Sequence, residues 1–330
     1  MKKVLKFKFV YSIVAFLLLS LFATSCNNDD DNNLPSAAEL QSLRDDALSS
    51  ITQNFQFIAE SGVANFTSTK GVSISIDGNC LTLNGNPVTG TVDIEFVEIF
   101  DGGTMLATNF TTMGIMPSGD KAMLVSGGEF FINATKNGQQ LAITCPISLN
   151  IPTSLTDAGG DSEMTLWNGI ENDTLGIVWE EQEDATGGNG GVFVEGQGAN
   201  ATYYALLNNF GWTNVDRFYS DPNPKTTILV SAPTGYDNQN SAVYLHYDGL
   251  GNGLAQLDTY DDDTDLFSEH YGQVPIGLAC HIIFITEDNG QWRYAIKSVT
   301  ITANAIYSFT LSETVVGSEA QLIAAINTLP

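Results

Sequence analysis

The chain has 330 residues, with 38 Asp or Glu against 12 Lys or Arg and a formal net charge of −26. An acidic excess of this size repels phosphate backbones and anionic head groups, which excludes nucleic acid as a partner. A hydrophobic content of 43% and an aromatic content of 10% separate the chain from acidic disordered sequences, and its length suits about two folded domains.

Lys2, Lys3, Lys6 and Lys8 lead into an apolar run from Phe9 to Phe22, broken by Tyr11, Ser12 and Ser20 and closed by Ala23-Thr24-Ser25-Cys26. A basic start, a short apolar core and small residues before a cleavage point make residues 1–25 a secretory signal peptide. The uninterrupted apolar part is shorter than the roughly 20 residues that a membrane-spanning helix requires. Cys26 directly after the small residues resembles the bacterial lipoprotein signal. That resemblance implies lipidation of the Cys26 thiol, an outer-membrane location and the membrane itself as a partner. Asn27 to Asn33, with Asp29-Asp30-Asp31 at its centre, is too polar to bury apolar area and reads as a solvated tether. It also resembles the export tag of surface lipoproteins in Bacteroidetes-type bacteria, which implies an outward-facing protein. Removal of residues 1–25 takes away four of the 12 basic residues and none of the acidic ones, so the mature charge moves from −26 to −30.

Residues 26–50 read as this tether followed by a short helix from Pro35 to Ser50. Ser36 is its N-cap, and Leu40, Leu43, Ala47 and Leu48 fall at helical spacing. From residue 51 the period changes to two. Phe55 and Phe57, then Val72, Ile74 and Ile76, then Val92, Ile94 and Phe96, and later Leu141, Ile143 and Cys145 alternate with other residues. Phe130 to Ile132 is apolar on both faces. Asp77-Gly78-Asn79, Asn84-Gly85-Asn86-Pro87, Asp101-Gly102-Gly103 and Lys136-Asn137-Gly138 lie between these runs as turns, the last a two-residue hairpin. Short alternating strands with regular turns predict an antiparallel sandwich over residues 51–155. The runs Gly71–Ile76, Val88–Phe96 and Gly127–Ala134 resemble strands of ZU5-like or immunoglobulin-like domains, and the resemblance carries no active-site residue across.

Asp157-Ala158-Gly159-Gly160-Asp161 predicts a boundary. Residues 163–330 continue in strands near 175–179, 192–194, 202–207, 226–231, 242–247, 281–285, 292–297 and 300–311. They end in a helix that Ser318 caps and that Leu322, Ile323 and Ile326 face with apolar surface. Phe210 to Phe218 resembles a segment of similar exported proteins. The expected fold is therefore all-β: two β-sandwich-like domains after a signal peptide and short helix, with a C-terminal helix.

Of the four Cys, lipidation of Cys26 leaves Cys80, Cys145 and Cys280. A Cys80–Cys145 pair and buried free thiols are both open. No Gly-x-Ser-x-Gly, His-Glu-x-x-His, phosphate-loop or Cys-x-x-Cys pattern occurs. Three His make a multi-His metal site hard to assemble. Adjacent Cys280 and His281 would point to opposite faces of a strand, which argues against a nucleophile–base pair.

Asp261, Asp263 and Asp265 match the first ligand positions of a calcium loop. Leu266 then stands where the turn needs Gly, and Gly272 where a bidentate Glu belongs. The alternatives are a different kind of calcium site and a solvated acidic loop; no other cofactor is expected. Trp292 and Tyr294 share one strand face, either as a sugar-stacking platform or as core aromatics. Trp212, between Gly211 and polar Thr213, is the better surface candidate. Asp173-Thr174-Leu175 resembles an O-glycosylation motif of Bacteroidetes-type exported proteins, with Thr174 as acceptor. The expectation is a non-enzymatic binding or adhesion module with a glycan or protein partner. The alternatives are a carbohydrate-binding accessory lipoprotein, a hydrolase with an unrecognised acidic site, and a purely structural envelope protein.

Overall fold

A computed structural model of the chain describes residues 34–156, 159–172, 176–182, 191–196 and 200–330. The expected signal peptide, Cys26 and the acidic tether lie outside these residues, as does Thr174. Strand exceeds helix by 53% to 16%, so the fold is all-β, as the alternating pattern predicts. Among the described residues no helix is long and apolar enough to cross a membrane.

Helix α1 (Ala37–Ile51) begins where local chemistry requires. The Ser36 hydroxyl accepts from the Glu39 amide, and the Glu39 carboxylate accepts from the Ser36 amide at 2.8 Å. This reciprocal capping satisfies two otherwise orphaned donors. Leu40 and Ala47 are its buried face.

The first half then supplies β1 (Gln53–Ile58), β2 (Val63–Thr67), β3 (Ser73–Asp77), β4 (Leu81–Leu83), β5 (Asn86–Pro87) and β6 (Thr91–Ile99). A helix α2 (Gly102–Thr108) intervenes before β7 (Phe110–Ile115), β8 (Lys121–Lys136), β9 (Gln139–Gln140), β10 (Ala142–Ile143) and β11 (Ile147–Pro152). The expected hairpin turn closes β8 onto β9, with Asn137 and Gly138 both at positive φ. Asp101-Gly102-Gly103, by contrast, is no free turn. Asp101 Oδ1 accepts from the Thr104 amide at 2.9 Å, which makes Asp101 the N-cap of α2.

The chain continues through β12 (Thr165–Asn172), β13 (Gly176–Glu181), β14 (Val192–Glu195), β15 (Thr202–Leu207), β16 (Gly211–Phe218), β17 (Lys225–Ser231) and β18 (Ser241–Tyr247). After these come β19 (Ala255–Gln256), β20 (Thr259–Asp261), β21 (Leu266–Pro275), β22 (Ala279–Asp288), β23 (Gln291–Thr300), β24 (Ile306–Ser308), β25 (Val315–Gly317) and α3 (Glu319–Asn327). The single strand expected over 300–311 is divided: β23 ends at Thr300, and the chain turns at Asn304, which has φ 54°. Helix α3 forms as expected, with Ser318 and Gln321 in a capping box and Leu322 and Ile326 buried.

Pairing overturns the expected boundary near 155–163. Strand β11 pairs with β3 on one side and with β15 on the other. Strand β8 pairs with β6 and with β16. Both large sheets therefore run through the proposed division, and Pro35–Pro330 forms one compact unit. Gly159 and Gly160 are both at positive φ, and across them the chain passes from the sheet of β11 to the sheet of β12. Strand β7 pairs with both β13 and β8, which closes β7-β8-β16-β12-β13 into a ring. The remaining sheets have the orders β10-β4-β5, β20-β21-β17-β24 and β19-β18-β22-β23-β25.

Two apolar clusters hold the body together. One gathers residues such as Ile74, Phe96, Phe130, Tyr203, Ile282 and Phe284. The other lies where the helices cover the sheets and joins Leu40, Leu106, Trp167, Trp179, Ile283, Trp292, Leu322 and Ile326. Cys80 and Cys145 are disulfide-bonded, with Cα atoms 5.6 Å apart; Cys280 is a buried free thiol.

Candidate functional site

Helices α2 and α3 meet through glycine and asparagine. A Cβ on Gly103 would sit 2.6 Å from the Ile323 carbonyl oxygen, so only glycine permits this approach. The Gly103 amide donates to Asn327 Oδ1, and Asn327 Nδ2 donates to Asp101 Oδ1, each at 2.8 Å. Burial acts to raise the Asp101 carboxyl, but the Thr104 amide, Asn327 and Lys70 outweigh it and hold it below its ordinary value. Beside this junction is a cleft of about 230 Å³, lined among others by Phe100, Asp101, His246, Asn252, Ile326 and Leu329.

His246 comes from β18 and faces its register partner His281 on β22. Asp248 follows two residues later, and its amide still donates to the Ala279 carbonyl at 3.1 Å. The Asp248 carboxylate accepts from Nδ1 of His281 at 2.7 Å. Since a carboxylate only accepts, the proton sits on Nδ1. One donor atom from each of His246, Asp248 and His281 lies within 4.8 Å of the others. His246 is 1% exposed, and its Nδ1 is buried without a hydrogen-bond partner. Burial lowers its basicity, the neighbouring His281 adds to the effect, and Asp248 opposes it. This is the arrangement among the described residues that brings three metal-type donors together.

Sequence reasoning missed this cluster. Cys280 does side with Ile282 and Phe284, and His281 with Ile283 and Ile285, as strand alternation requires. The available signal was His246-x-Asp248, a spacing that places both side chains on one face of a strand.

A second cleft, about 440 Å³, lies between the β8–β10 region and the approach to β16. Its walls pair aromatic rings, Phe131 and Phe210, with the amides Asn133, Gln140 and Asn209.

The sites expected from sequence fare differently. Trp292 and Tyr294 do share a strand face, but they are 1% and 9% exposed and belong to the helix-covered core. They are therefore core aromatics and no platform. Trp212 is half-buried, with ring centroids 4.1 Å from Phe110 and 5.2 Å from Phe131; it packs against its neighbours and adjoins the second cleft through Gly211. Asp261, Asp263 and Asp265 are exposed on the β20–β21 turn. The Asp263 amide donates to Asp261 Oδ1 at 2.9 Å, and the Asp265 amide donates to the Asp261 carbonyl at 2.8 Å. They build the turn, and they are not among the convergent metal-type donors of the described residues.

One further polar group is buried where β8 pairs with β16. Asn214 and Asp216 on β16 face Glu129 and Ser126 on β8, and the register shift opposite Gly127-Gly128 brings all four to one side of the sheet. Neither Glu129 oxygen has a hydrogen-bond partner, nor does Asp216 Oδ1. Burial pushes Glu129 up to about 8. Burial, then the nearby Glu129, raises Asp216 well above its ordinary value.

Compared with known protein families and with curated proteins, the chain matches neither a family model nor a curated sequence.

Proposed function

We propose that this chain is an exported, lipid-anchored binding module held at the outer surface by Cys26, with no catalytic role. The observation that carries it is the order of parts: the basic and apolar leader, the small residues, Cys26 and the Asn/Asp run. The Cys80–Cys145 disulfide supports the same reading, because such bonds persist in oxidising compartments outside the cytoplasm. Binding is favoured over hydrolysis by how the carboxylates are used. Asp101, on the wall of the first cleft, is engaged by Thr104, Asn327 and Lys70. Glu129 and Asp216 line neither cleft and shift in the same direction, whereas an acid and base pair needs them pushed apart. The likeness of Gly71–Ala134 to ZU5-like domains remains part of this proposal.

The anchoring is tested by expressing the full chain with a labelled fatty acid. The label is expected on the wild type and absent from Cys26→Ala, which should leave the membrane fraction; an unlabelled wild type overturns the anchoring. Protease shaving of intact cells tests the outward orientation.

A glycan ligand is a second reading, supported by the second cleft, where rings and amides stand together as sugar recognition requires. A glycan array with the full chain and its Phe210→Ala variant tests it: signals that disappear in the variant support it, and no signal refutes it.

A further inference from the structure

We propose that His246, Asp248 and His281 bind one divalent first-row transition metal ion of the zinc class. The inference is independent of the anchoring and glycan readings. The backbone positions the donors before any ion arrives. His246 and His281 are directly opposed across an antiparallel pair, and Asp248 lies two residues beyond His246, the spacing that returns a side chain to the same face. Their donor atoms lie within 4.8 Å of one another. In a tetrahedral site with bonds near 2.0–2.1 Å, ligand atoms stand about 3.3 Å apart, so modest side-chain rotation closes the set. The 2.7 Å hydrogen bond between His281 and Asp248 opens to that spacing as the ion replaces the shared proton, which leaves to solvent.

A second observation points to the same place. His246 Nδ1 is buried and has no hydrogen-bond partner, and a buried polar atom left unsatisfied is costly. His246 is also the member of the set that lines the first cleft. Two imidazoles and one carboxylate suit zinc, iron, nickel or copper, whereas calcium and magnesium take oxygen donors. Three protein ligands leave at least one coordination position for water or for a group entering from the cleft.

The test uses the full chain extracted in detergent, stripped with chelator and dialysed against Zn²⁺ in the presence of excess Mg²⁺ and Ca²⁺. One Zn²⁺ per chain is expected. Asp248→Asn and His281→Gln are each expected to weaken it at least about 100-fold, beyond the roughly 10- to 100-fold typical of losing an outer-shell partner. His270→Ala, which removes the exposed histidine beside Asp258, should leave affinity unchanged. Far-UV circular dichroism verifies that each protein is folded, so the half-exposed Asp248 keeps the test decisive if a histidine variant misfolds. A folded wild type that retains no Zn²⁺, or retention undiminished in folded Asp248→Asn, overturns the proposal.

Discussion

Glu129 gives the sharpest stability prediction. Its carboxyl is fully buried, neither oxygen has a partner, and burial moves it from an ordinary 4.5 to about 8. Between those values the folded chain keeps the proton while the unfolded chain has lost it. The folded state therefore binds more protons, and stability falls as pH rises through this window and levels off above it. At about 1.4 kcal/mol per pH unit, the gap amounts to roughly 5 kcal/mol. Glu129→Gln keeps the shape and removes the titration, while its amide adds donors that the site does not satisfy, at about 1–3 kcal/mol. The variant should thus be the less stable protein near pH 5, and it should gain on the wild type by roughly 3.5 kcal/mol between pH 5 and pH 8. Glu269, raised to about 7 mainly by burial, slopes the same way in both proteins and cancels in the difference. The assay is equilibrium denaturation of both proteins across pH 5–8 with the disulfide intact. Parallel stability curves would refute the assignment of a buried neutral carboxyl.

Other perturbations test the packing. The Cys80–Cys145 bond spans 65 residues, so removing it as a Cys80→Ala/Cys145→Ala pair should cost about 4 kcal/mol by the loop-entropy relation, read as a lower melting temperature matched by reduced wild type. Burial pushes the Cys280 thiol up to about 12, so native protein should resist alkylation at neutral pH and react only after unfolding; mass spectrometry reads this directly. Gly103→Ala forces a methyl against the Ile323 carbonyl and should destabilise by about 1–3 kcal/mol, visible as faster amide exchange in α3. Trp292→Ala empties a core position and should cost about 3–5 kcal/mol while leaving any glycan binding by the folded protein untouched.

What the sequence made legible is what local chemistry decides. Ser36 with Glu39 and Ser318 with Gln321 cap helices within four residues of chain, and both helices form. Asn137-Gly138 makes its hairpin because both positions accept positive φ. Asp101 was harder to read: Asp-Gly-Gly is turn-like, and only the partners Thr104 and Asn327 make it a helix cap. The domain boundary was not legible, since nothing near residues 155–163 reveals that Ile147–Pro152 will pair with Thr202–Leu207. For Trp292 and Tyr294 the shared face was readable from alternation. Its burial was not, because the cover comes from two helices far apart in sequence, α1 and α3.

Both buried polar groups are likewise made by strand pairing and not by local sequence. Ser126 and Glu129 are three apart, a spacing that in a regular strand puts them on opposite faces. The register shift at Gly127-Gly128 cancels that offset and places them together beside Asn214 and Asp216. Gly128 has φ 126°, a backbone conformation that side chains resist, so the two glycines are what permit the shift. His246 and His281 are joined by register across two strands, and no window of sequence contains both. In each case the chemistry arises from a residue pair that strand pairing creates, while the fragments visible in sequence, Ser-Gly-Gly-Glu and His-x-Asp, carry half of it. Moving either half by one residue would send its side chains to the opposite, apolar side of the sheet. The pairing that holds the fold together therefore also holds the two polar groups in place, and a variant that shifts register at β8–β16 or β18–β22 should lose both stability and the local chemistry at once.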